Sequence, residues 1–155
     1  MIDIDALRKA HDEFLEVAAG GGFGPPPAME WDAERVIAHV AAADAAIGSV
    51  ALAVTGGQRV AYDNRASLDE QNLRRIIAGC GGLDGLIEFA SVQGRVLCEV
   101  AGGMPESGWS VRVHVLIVSG DDLVVDEPWT IAELVTGVAA FHLPQHAGQL
   151  ARLRG

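Results

Sequence analysis

Two of the chain's five histidines, His142 and His146, stand four residues apart in a stretch with helical spacing. Residues four apart share one helical face, so two imidazoles there can converge on one ion. Leu134, Val135 and Val138 lie on the same side one or two turns earlier, which turns that face inward. His39 interrupts an apolar stripe formed by Val36, Val40, Ala43 and Ile47 on another helix, and an imidazole in such a stripe needs a partner. Packed helices stand roughly 8–10 Å apart, so His39 is placed to complete a three-nitrogen site. The other reading of the same residues is three helix histidines that are merely solvated or hydrogen-bonded. Zinc-protease HExxH spacing is absent, since Leu143-Pro144-Gln145 fills the gap. Pro144 lacks an amide donor and its ring opposes the carbonyl of Ala140, so the helix is expected to kink or to break between the two histidines. A kink keeps them together; a break separates them.

Other side chains have weaker chemical readings. Arg35, one turn before His39, can face an anionic substrate or simply occupy the surface. Trp31 can wall a pocket or anchor a helix start, the second being preferred, and Gln149 can orient a ligand histidine or bond to solvent. Nothing selects Tyr62 or Trp109 as pocket residues. His114 falls on the same face of a strand as Arg112 and is expected to be exposed. His11, followed by Asp12 and Glu13, reads as solvated. Cys98 reads as core. The glycine clusters at Gly20–Gly22 and at Gly79, Gly81 and Gly82 lack the strand-then-helix context of a phosphate loop, and no Ser, His and Asp arrangement suggests a hydrolase.

The elements that must position these groups follow from periodicity. Apolar spacing from Ile4 to Ala19 predicts a helix capped by Asp3 or Asp5 and stopped by Gly20-Gly21-Gly22 and three prolines. A second helix runs from near Trp31 to about Val54, with acidic residues on its first turn. A connection follows, then Ser67 and Glu70 make a capping box for a short helix to about Ala78. A third long helix spans roughly Leu83 to Val100. β-Branched residues from Trp109 to Val118, a turn at Ser119–Asp122 and the run Leu123–Val125 predict a hairpin ended by Pro128. Thr130 and Glu133 cap a final helix from Ile131 towards Arg154. The expected fold is mostly α: an up-down four-helix bundle with a small β-hairpin between the third and fourth helices.

A length of 155 residues is about one domain, taken as 1–155. Half the residues are apolar but only 5% are aromatic, so the core rests on Ala, Val, Leu and Ile. The net charge of −10 argues against nucleic acid and against anionic membranes. The apolar stretch Val36–Val54 is interrupted by His39 and Asp44 and is Ala-rich, which speaks against a membrane span. The acidic start lacks the positive charge of a secretory signal. Cys80 and Cys98 read as free thiols of a reducing cytoplasm.

The segment Trp31-Asp-Ala-Glu-Arg-Val-Ile-Ala-His39-Val-Ala-Ala-Ala-Asp resembles the second-helix signature of the DinB-like superfamily. Phe141-His142-Leu-Pro-Gln-His146-Ala-Gly-Gln149-Leu150 resembles its closing motif. This superfamily includes mycothiol-dependent maleylpyruvate isomerases and bacterial thiol S-transferases. The resemblance implies a divalent metal, zinc or nickel, held by His39, His142 and His146. It further implies a low-molecular-weight thiol as the occupant of the open position, attacking a small electrophile in S-transfer or isomerisation. Three neutral protein ligands leave such a position open, and a thiol bound there loses its proton more easily. Arg35, Trp31 and Gln149 would then flank substrate or cofactor. The partner expected is a small-molecule substrate, with a homodimer left open. The competing class is a non-catalytic small-molecule-binding or assembly protein with structural histidines on the same bundle.

Overall fold

The computed structural model describes residues 2–155, which are mostly helical with a three-stranded sheet. Helix α1 (Ile4–Ala19) starts where Asp3 accepts the amide of Ala6, and ends before Gly21 and Gly22, both at positive φ. Helix α2 (Ala33–Thr55) starts where the Asp32 side chain accepts the Arg35 amide at 2.9 Å. Strand β1 (Ala61–Asp63) leads into the four-residue helix α3 (Arg65–Leu68), then α4 (Glu70–Cys80) and α5 (Leu83–Gly102). A short α6 (Glu106–Trp109) precedes strands β2 (Arg112–Ser119) and β3 (Asp122–Thr130). The chain closes with α7 (Ile131–Gly137), a π-helical turn (Val138–His142) and α8 (Leu143–Arg152).

Helix α2 lies at the centre, packed against α4, α5 and α8, while α1 packs against α5 and α8. Small side chains make this possible. Ala38, Ala41, Ala43 and Ala51 are buried along α2, and at Gly48 the Cα of Leu97 lies only 3.9 Å from where a Cβ would sit. Leu7, Phe14, Leu73, Leu86, Leu97, Ile131, Leu143 and Leu150 fill the remaining core. By length and composition α2 could cross a membrane, but in this fold most of it is buried by neighbouring elements.

The sheet order is β1-β2-β3. β2 and β3 form the expected antiparallel hairpin, with Gly120 at positive φ in its turn. Two features differ from expectation. β3 continues through Pro128 to Thr130; it is an edge strand, where a residue without an amide proton is tolerated. β1 was not expected at all: Ala61–Asp63 pairs in parallel with His114–Leu116. Asn64 clamps this union, donating to the Val118 carbonyl at 3.0 Å and accepting its amide at 2.9 Å.

The capping box of Thr130 and Glu133 is present, each side chain accepting the other's amide. The one expected at Ser67 and Glu70 is not. Asp69 takes the cap of α4 instead, accepting from the Asn72 amide, because Ser67 already belongs to α3 and donates its hydroxyl to the Asn64 carbonyl.

Candidate metal centre

His39 comes from the second turn of α2, and His142 and His146 come from the last helical run. Their ligand atoms all lie within 4.8 Å of one another. Ring centroids are 5.1 Å apart for His39 and His142, 4.8 Å for His39 and His146, and 4.6 Å for His142 and His146. Pro144 does not break the helix. The turn before it widens, with the Leu143 amide donating to the Val138 carbonyl five residues back. Pro144 follows as the second residue of α8. This π-turn keeps the chain helical through the proline and keeps both histidines on one side.

Two of the three imidazoles have their tautomer set from outside the cluster. α3 is so short that the Ser67 carbonyl has no helical partner, and it accepts the Nδ1 proton of His39 at 2.7 Å. The Gln149 side-chain oxygen accepts the Nδ1 proton of His146 at 2.9 Å. Both rings therefore present a bare Nε2. His39 Nε2 lies 3.0 Å from His142 Nε2, while Nδ1 of His142 is buried with no partner. Burial, then the neighbouring His146, lowers the pKa of His39 to about 4. Burial followed by its two histidine neighbours holds His142 well below the usual imidazole range, and burial outweighs the Gln149 bond to lower His146 as well. All three are neutral at pH 7, as metal ligation requires. Nitrogens on a tetrahedral zinc stand roughly 3.3 Å apart at Zn–N bonds of about 2.0–2.1 Å, and the His39–His142 pair is already near that spacing. The donor set thus fits a divalent ion.

A cavity of about 440 Å³ opens onto all three histidines, walled by Trp31, Tyr62, Asn64, Gln149 and the tip of the hairpin. The Trp31 ring lies 5.3 Å from that of His39. A second cavity of about 230 Å³, lined chiefly by apolar side chains, meets the first at Tyr62, Ile117, His142 and Gln145. A larger and more open hollow of about 990 Å³ holds Trp109 but none of the histidines.

Trp31 and Gln149 are brought to the cluster. Arg35 is not: its guanidinium forks onto Glu70 at 2.7 and 3.0 Å and onto Asp32 at 2.5 Å, outside both cavities. His114 is half-exposed and bonds Asp126 at 2.6 Å. His11 is not solvated. It is 5% exposed, donates Nδ1–H to the Leu7 carbonyl at 3.0 Å and meets Asp44 at 2.9 Å. Gly94 of α5 makes room for its ring. The partner lies 33 residues away and the acidic neighbours in sequence point elsewhere, so local reading missed it. Tyr62 was equally hard to find, since it reaches the cavity through the unexpected strand β1.

No family model matches the sequence, and neither does any curated protein. Solved structures do match. The chain superimposes with a TM-score of 0.72 over 95% of its length on a crystal structure of the mycothiol-dependent maleylpyruvate isomerase, at 16% identity. It matches equally a mutant of that enzyme in which one histidine is replaced by alanine. The fold is theirs. It agrees with the DinB-like resemblance of the two histidine segments. The chain spans 58% of the length of those proteins.

Proposed function

We propose that this protein is a metal-dependent enzyme of the DinB type, with residues 1–155 forming one up-down four-helix bundle. In this reading His39, His142 and His146 hold a divalent metal, zinc or nickel. A low-molecular-weight thiol of the mycothiol kind attacks a small electrophile, in S-transfer or isomerisation. The observation that carries the reading is the convergence of three imidazoles, His39 and His146 buried and His142 half-buried, two with their outer nitrogens already donating to oxygen. The fold shared with a mycothiol-dependent isomerase supports it. The metal, when bound, supplies a positive charge that favours the thiolate over the thiol.

The chain's own residues do the rest. Ser67 and Gln149 fix ring orientation, so ligand lone pairs face the cavity without reorganising. Trp31 shields His39 on one side. Burial raises the pKa of Tyr62, whose hydroxyl stays protonated beside the cavity as a donor for a substrate oxygen.

The second reading, a binding or assembly protein with structural histidines, draws on the bonds that His39 and His146 already make within the protein. One assay separates the two. Zinc- or nickel-loaded protein is incubated with 1-chloro-2,4-dinitrobenzene and mycothiol, bacillithiol or glutathione in turn. The enzyme reading expects thiol-dependent turnover that disappears in His142→Ala. Silence with all three thiols refutes it in favour of binding.

A further inference from the structure

We infer that this site takes a neutral, largely apolar electrophile bearing a monocyclic aryl or branched alkyl group, and not a dicarboxylate; the inference rests on the metal-centre reading above. Maleylpyruvate, named for the structural neighbours, carries two carboxylates. An enclosed carboxylate needs a cation or several donors, or its desolvation opposes binding. No Arg or Lys lines either cavity at the histidines, and the one charged residue there is acidic, Glu30 at the rim. Arg35, the nearest cation in sequence to His39, is held by Glu70 and Asp32. A divalent ion holding one thiolate leaves a single positive charge against two carboxylates. The net charge of −10 adds a long-range field that disfavours anionic ligands.

The second cavity says what fits instead. Ile47, Leu134, Val138, Trp129 and Phe141 line it, and it opens towards the metal centre at His142 and Gln145. At about 230 Å³, and open to solvent past the exposed ring of Phe141, it has room for a single aromatic ring. Gly137 forms part of its wall, and a Cβ added there would meet nothing within 4 Å. The backbone at Gly137 is ordinary right-handed helix, so a larger residue can project into the lobe without strain.

The three tryptophans supply the readout. Trp129 lines the apolar lobe, Trp31 lines the histidine cavity, and Trp109 sits in the separate hollow. Purified protein, metal-free and zinc-loaded, is titrated with benzyl alcohol and with maleate while the indole N–H signals are followed by NMR. Benzyl alcohol should shift Trp129 and leave Trp109 still. Gly137→Leu should weaken that binding at least about tenfold, with zinc affinity unchanged. Maleate should bind at least about tenfold more weakly than benzyl alcohol in both metal states. Maleate binding as tightly as benzyl alcohol, or benzyl alcohol binding unaffected by Gly137→Leu, would overturn the inference. Zinc titration of the same samples reports on the metal-centre reading separately: lobe binding without zinc uptake sinks that reading and leaves the cavity assignment standing.

Discussion

The wild-type protein should lose stability at alkaline pH, and replacing Asp44 by Asn should remove that loss. Asp44 is 1% exposed; its Oδ2 meets His11 Nε2 at 2.9 Å and its Oδ1 has no partner. Cys98 stands 3.8 Å from His11 Nδ1, Tyr62 feels the charge of Asp44 and His142 that of His11, and the rest of the surroundings belong to the apolar core. Losing the shared proton would strand a carboxylate there, and both members resist it. Burial raises the pKa of Asp44. Burial alone would lower that of His11, but its bonds to Asp44, Cys98 and Leu7 outweigh this and raise it to about 10. In the unfolded chain the imidazole releases its proton near pH 6.5. Between pH 6.5 and about 10 the folded state therefore binds one proton more than the unfolded state. Stability is fully present below that window and falls through it by about 1.4 kcal/mol per pH unit, up to about 5 kcal/mol in all. Asp44→Asn removes the buried charge and leaves an amide to donate to a neutral His11, so the slope should vanish. His11→Leu, which strands the carboxylate, should cost about 3–5 kcal/mol at pH 7. Urea denaturation of wild type and Asp44→Asn at half-unit steps from pH 6 to 10 measures both slopes. A wild-type midpoint that stays flat from pH 7 to 9.5 would refute the reasoning, as would an equal slope in the variant.

Three further outcomes are expected. Gly94→Ala should lower Tm by several degrees, because its Cβ falls against the His11 ring, and overpacking costs about 1–3 kcal/mol; Gly79→Ala, in open space on α4, should raise stability by up to about 1 kcal/mol, both read by thermal melts. Gln149→Leu removes the acceptor for His146 Nδ1–H and should weaken zinc binding about 10- to 100-fold in a competitive chelator titration, while Gln149→Glu should retain it. On acidification the neutral histidine trio works against the fold: the unfolded chain takes up protons from pH 6.5 downwards and the folded one does not. His39 alone should then cost about 3 kcal/mol by pH 4, read as a falling denaturation midpoint that Phe at position 39 flattens.

The parts legible in the sequence are those with local physical signatures. Helical spacing, with caps at Asp3 and Thr130 and acidic residues at the start of the second helix, placed α1, α2 and the last helical run, and β-branched residues placed β2. The histidine pair was legible because a four-residue spacing has only one helical meaning. His39 was legible because an Ala-rich stripe makes a polar residue conspicuous. What remained hidden depends on chain segments far apart. The pairing of His11 with Asp44 needs α1 and α2 laid together, and β1 exists only because β2 offers it an edge. Ser67 looked like a cap, yet its carbonyl is what the site uses, and the cap passed to Asp69. Pro144 posed a kink against a break; the π-turn at Val138–His142 is a third solution that propensity does not announce.

Metal content tests the central claim most directly. Protein purified without a histidine tag or nickel resin, then analysed by inductively coupled plasma mass spectrometry, should carry close to one equivalent of a divalent transition metal, and His142→Ala should carry almost none. Less than about a tenth of an equivalent in the wild type after incubation with zinc or nickel, or full retention in His142→Ala, would contradict the assignment of His39, His142 and His146 as a metal centre.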